Sequence, residues 1–199
     1  MERIDIANIA LSMLGVDQIT SLDDESNTAE QVKLHYIPAR DATLEAHEWS
    51  FAIERFEPAL LTAAPLFGAA NQFSIPVNIL RVLTCDNPTT VENPGYVQPI
   101  NSTPQIDWVL EGRSILCNED IVYARGIRRV EEEGIFSNLF VQAFAAKLAM
   151  LLAINLTASA DIQARVTAYY TFAMHEAKSR DGLQGRSKQL RNKQLQHSR

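Results

Sequence analysis

Cysteine is nearly absent: the 199 residues hold two, Cys85 and Cys117, at a spacing that fits no metal knuckle or redox pair. A disulfide scaffold is thereby excluded, and the expectation is two reduced core thiols in a chain made in the cytosol. An apolar leader is missing too, because Met1 runs straight into Glu2 and Arg3, so no signal peptide is expected. On that footing the sequons at Asn101 and Asn155 are accidental. Long hydrophobic runs are scarce. The most apolar stretch, "LFVQAFAAKLAMLLAINL", is broken by Gln142, Lys147 and Asn155, which predicts a buried helix and no membrane partner.

Catalytic signatures are missing as well. The chain contains no P-loop, no glycine-rich dinucleotide fingerprint, no nucleophile elbow and no HExxH. The expectation is a protein that is not an enzyme, with no cofactor and no metal. His35 and His47 are twelve residues apart without identifiable partner ligands, and His175 beside Glu176 reads as a favourable charge near a helix end. Glu111 and Glu119 are the one carboxylate pair worth testing for glycan hydrolysis, which needs two acids facing each other across a bound sugar. Glu131, Glu132 and Glu133 read as a solvated acidic loop, or in a functional reading as an acidic rim that repels nucleic acid or meets a basic partner.

What is present is a globular composition, 46% apolar and 21% charged, with the charge unevenly placed. From residue 178 onward, Lys178, Arg180, Arg186, Lys188, Arg191, Lys193 and Arg199 stand against the single acid Asp181, a net +6. The remainder holds 11 basic and 23 acidic residues, a net −12. A basic arm on an acidic body is the pattern of an interaction tail. It suits phosphates in a salt-dependent way, or an acidic protein with Leu183, Leu190 and Leu195 as small anchors. The tail has no aromatics for stacking on bases.

Periodicity divides the chain. Ile4, Ala7, Leu11 and Leu14 recur at helical steps before Gly15, a natural C′ residue, which predicts a first helix over 3–14. Ala29, Val32, Tyr36, Ala39, Thr43 and Ala46 predict a second over 26–47, kinked at Pro38. All eight prolines lie between Pro38 and Pro104, seven of them after Trp49, so the middle is not helical. Phe73, Ile75, Val77 and Ile79 alternate and predict a strand bent at a proline, and "IDWVLEGRSILCN" predicts a hairpin turning at Glu111-Gly112-Arg113. "DIVYARGIRRV" predicts a further strand. Helical spacing returns after Ser137 with Phe140, Phe144, Leu148 and Leu152, and again over 158–179.

The fold class expected is α+β: a four-helix body, two helices from each end of the chain, with a small antiparallel β insertion and an extended basic C-terminal tail. The divisions are 1–48 and 136–179 for the body, 49–135 for the insertion and 180–199 for the tail. Trp49 and Phe51 fall where the chain leaves the helices, and each contributes about 3 kcal/mol if buried there.

Four segments, taken in order, resemble one family. "ANIALSMLGVDQITSLDDES" is similar to the first helix and connection of the tail tubular protein A family, head-to-tail adaptors of short-tailed phages. "YIPARDATLEAHEWSFA" resembles that family's Arg-Asp and Trp-x-Phe-Ala segment, with Arg40, Asp41, Leu44, Trp49, Phe51 and Ala52 in the matching places. "SIPVNILRVL" and "FSNLFVQAFAAKLAMLLA" match two further segments, Asn78 standing where an Asp is usual. The resemblance implies a virion protein made in the host bacterial cytoplasm, a dodecameric ring of self that joins the portal protein to the tail nozzle, a tail tubular protein B-like partner. Genomic DNA would pass its lumen without specific binding. It also implies that the C-terminal basic residues dock on the portal, that the insertion faces the nozzle, and that Arg40, Asp41, Trp49 and Phe51 form a structural junction. A phage-associated glycan hydrolase or a DNA-binding accessory protein is the alternative function.

Overall fold

A computed structural model describes residues 1–87 and 106–184. Among the described residues four helices and two small antiparallel sheets make a mixed α+β protein. The helices are α1 (Arg3–Leu14), α2 (Asn27–Glu45), α3 (Asn138–Leu156) and α4 (Ala160–Gln184).

Local chemistry sets the helix ends. Gly15 takes φ 71°, and the N–H groups of Gly15 and Val16 return to the carbonyls of Ser12 and Leu11, closing α1. Ser26 and Ser137 cap α2 and α3, their hydroxyls accepting from Ala29 N and Phe140 N at 3.2 Å each. Pro38 sits on the exposed side of α2, and the helix continues through it undivided. The fourth helix departs from expectation at both ends. Ala158 has φ 34°, outside helical geometry, so the helix begins two residues later, and it runs five residues past Ser179. Residues 180–184, expected as tail, are therefore helix.

The strands are β1 (Ile53–Phe56), β2 (Ala59–Leu60), β3 (Asn71–Ser74), β4 (Ile79–Asp86), β5 (Trp108–Glu111), β6 (Ser114–Cys117) and β7 (Tyr123–Arg128). They form one sheet of order β1-β7-β4 and another of order β2-β3-β6-β5. The β5–β6 hairpin turns at Gly112 and Arg113, Gly112 with φ 58°.

The strand expected through Phe73, Ile75, Val77 and Ile79 is two strands in different sheets. Pro76 has no N–H to give a ladder, and its carbonyl accepts from Ile79 N at 3.0 Å in a turn that leaves Val77 exposed.

The three-stranded sheet lies between the helices and the second sheet. On β4, Leu80 and Leu83 pack into the helical core, while Ile79, Val82 and Cys85 pack into the core between the sheets. The step of three arises because the β4–β7 register slips between Ile79 and Arg81 and again between Val82 and Thr84. Each slip adds a residue and turns the alternation over. An apolar run thus serves two layers.

Among the described residues α3 is long and apolar enough to cross a membrane, and it packs against α1, α2 and α4. Ten of its residues are buried inside the protein, while Ile154 near its end is exposed.

Candidate assembly surfaces

The residues named for the junction converge. Trp49 is fully buried, its indole N–H donates to the Thr43 carbonyl at 2.9 Å, and its ring meets Phe140 edge-on at 5.0 Å. Phe51 meets Phe140 at 5.1 Å, and Phe136 joins at 4.7 Å from Phe140. One turn of α3 thus receives the aromatics of the segment between α2 and β1, where the helices meet the first sheet.

Beside this cluster lies a charged seam. The Arg40 guanidinium, 2% exposed, donates from Nε to Asp41 Oδ1 at 2.9 Å, and Arg129 Nε donates to the other oxygen of Asp41, also at 2.9 Å. Burying a guanidinium is tolerable only with such a partner. Arg129 follows β7, and its own N–H donates to the Asn78 carbonyl, so the seam ties α2 to the edge of the β layer.

Glu131 and Glu132 are exposed, as a solvated acidic loop requires, whereas Glu133 is half-buried. Glu133 lies in a 3-10 turn (Glu133–Ile135) and accepts from Arg3 Nε at 2.8 Å and from the Tyr36 hydroxyl at 3.4 Å. Glu131 lies 3.9 Å from Arg40 Nη2. The cations that claim these acids are about 90 to 130 residues away in sequence. Beside Arg3 and Glu133 an open depression of about 530 Å³ is lined by Glu2, Thr20, Ser21 and Asp23 among others.

Of the basic residues assigned to portal docking, Lys178 is half-buried and Arg180 exposed on the last turns of α4. Arg186, Lys188, Arg191, Lys193 and Arg199 lie outside the described residues. The end of α4 is held to the α2–β1 segment: Asp181 accepts from Ser50 N at 3.1 Å and from Ser50 Oγ at 2.8 Å. His47 Nε2 lies 3.5 Å from Asp181, without a hydrogen bond. Burial pulls the imidazole below the usual histidine range, against the opposing pull of Asp181.

Glu111 and Glu119 do not face each other. Glu111 pairs with Ser114 at the hairpin turn, whereas Glu119 lies beyond the far end of β6, bonded to Asn87. The length of β6, Ser114–Cys117, about 10 Å of strand, lies between them. Cys85 and Cys117 are free and buried in the core between the sheets, where burial pushes the Cys85 thiol up to about 12 and raises that of Cys117. Among the described residues no three His, Cys, Asp or Glu side chains cluster as metal ligands. His35 and His175 stand apart on α2 and α4.

Two helix faces carry large apolar side chains outward: Leu34 and Ile37 on α2, and Tyr169 and Phe172 on α4. Helical spacing puts Tyr169 in the expected buried stripe of the fourth helix with Ile162, Val166, Tyr170 and Ala173, yet it is exposed because the stripe that packs inward runs through Val166, Ala173 and Ala177; Leu34, Ile37 and Phe172 lie outside the expected stripes. The residual signal was the presence of large hydrophobes off the core stripe.

Compared with family models and with curated proteins, the chain matches none.

Proposed function

We propose that this chain is a structural virion protein, a head-to-tail adaptor whose copies form a ring between a phage portal and its tail nozzle. The observation that carries this reading is where the family-like residues fall. Arg40, Leu44, Trp49 and Ala52 are buried, Asp41 bridges two arginines, and Phe51 packs on Phe140. The positions that resemble the adaptor family are thus the ones that join helices to sheet, as a scaffold requires.

The charge distribution supports the same role. A body of net −12 lining a channel repels passing phosphates, so DNA slides without adhering. The basic residues from Arg186 onward supply the docking element toward the portal, with α4 as a rigid base for them. The β layers are left to meet the nozzle.

The test mixes purified portal dodecamers with the full chain or with a chain ending at Gln184, followed by negative-stain imaging. The full chain is expected to add a collar below the portal and the shortened chain none. Truncation belongs after Gln184, because cutting at Ser179 also removes Asp181 from Ser50. Bare portals with the full chain would overturn the reading.

A further inference from the structure

The two outward apolar pairs sit in matching frames of charge. On α2, exposed Glu30 is followed four residues later by Leu34 (63% exposed), seven later by Ile37 (49%) and fifteen later by exposed Glu45. On α4, exposed Arg165 is followed four residues later by Tyr169 (39%), seven later by Phe172 (64%) and fifteen later by exposed Arg180. The offsets are identical and the flanking charges opposite. At the helical rise each frame spans about 22 Å.

The two helices also run the same way. Asn155, near the end of α3, donates to Gln31 near the start of α2 at 2.7 Å, so α2 and α3 are antiparallel. A three-residue link turns α3 into α4, and Asp181 near the end of α4 holds Ser50 just past the end of α2. Both α2 and α4 pack on α3. Their exposed stripes point away from it.

We propose that α2 of one copy docks against α4 of a second copy of this chain, parallel and in register, with Glu30 opposite Arg165, Leu34 opposite Tyr169, Ile37 opposite Phe172 and Glu45 opposite Arg180. An operation that keeps the helix direction brings all four pairs together at once. A like-to-like contact would set glutamate against glutamate or arginine against arginine. The contact is therefore head-to-tail, the kind that builds rings. Of the other charges on the two faces, Lys33 pairs with Asp23 at 3.0 Å and Asp41 with Arg40 and Arg129, so Glu176, which the register sets opposite Asp41, meets a carboxylate already balanced by two arginines. Helix faces with apolar centres and complementary charged rims discriminate register as well as partner. The choice of a second copy as occupant rests on the adaptor reading, while the faces and register come from these spacings.

The test places Ile37→Cys and Phe172→Cys together in the full chain, and each alone, and oxidises the proteins at high concentration. The double variant is expected to give a ladder of covalent trimers and larger species, while each single variant, like the wild type, gives no covalent ladder. No ladder, or single variants that dimerise as readily as the double variant ladders, would overturn the proposal. In sedimentation, E30R/E45R is expected to lose self-association and the further changes R165E/R180E to restore it. Failure of the fourfold variant to recover would also overturn it. A chain that ladders but never collars a portal refutes the adaptor reading and leaves the contact standing. One that collars portals without laddering refutes the contact alone.

Discussion

Asp41 and Arg129, 88 residues apart in sequence, meet at 2.9 Å, and the second oxygen of Asp41 holds the adjacent Arg40 at the same distance. One carboxylate thus anchors a buried guanidinium and fastens α2 to the chain leaving β7. Replacing it strands Arg40 without a counter-ion, since Glu131 is 3.9 Å away and largely exposed. Asp41→Ala is expected to lose about 3 kcal/mol in urea denaturation. Arg129→Ala, which removes a partly exposed partner, should lose about 1 kcal/mol. Equal losses would mean that the buried Arg40 is not the reason the seam exists.

Trp49 fills the space between the end of α2 and the start of α3. Trp49→Ala is expected to lose about 4 kcal/mol through the cavity it leaves. Trp49→Phe should lose less, mainly because the Thr43 carbonyl forfeits its donor. Denaturation followed by far-ultraviolet circular dichroism separates the two, and a variant pair of equal stability would contradict the packing described.

His47 is a histidine whose protonation the fold suppresses. Burial, the largest influence, lowers its affinity for a proton, with Lys178 and Arg81 adding to the effect and Asp181 and Glu48 opposing it. Because the folded pKa is depressed, stability from this group is complete above the ordinary value of 6.5 and is lost as pH falls from there through the folded pKa. A nuclear magnetic resonance titration of His47 should give a midpoint below 6.5, and His47→Gln should flatten the fall in urea midpoint below that pH. A midpoint above 6.5 would show that the Asp181 carboxylate, 3.5 Å away, outweighs burial.

Gly126 in β7 has no room for a methyl group. An added Cβ would lie 2.8 Å from the Arg81 carbonyl oxygen, 2.8 Å from Ile79 Cγ2 and 3.0 Å from Phe56 Cε1. The backbone oxygen cannot swing aside as a side chain would. Gly126→Ala is expected to lose about 2 kcal/mol, read as a lower melting temperature. An unchanged melting point would mean that the three strands there are looser than their register implies.

The helices were legible in the sequence because their bonds are local. Apolar spacing within α1, α2 and α3, the serine caps at 26 and 137, and the glycine after Leu14 each act within a turn or two of themselves. The β5–β6 hairpin was legible for the same reason, its turn lying between its own strands.

Tertiary structure decided everything that depends on distant partners. The slips in β4 let one run of apolar residues serve two cores, and their position is set by β7, about forty residues away. Glu133 is an ion-pair acid because folding brings Arg3 to it, and Glu111 and Glu119 are apart because strand register separates them. The sequence by itself determined four helices, the buried stripes of the first three and the signs of the charges on them. That α2 and α4 lie parallel, with matched outward frames of opposite charge, was decided only when α3 packed between them, because strand and helix partners are chosen by burial over the whole chain rather than by neighbouring residues.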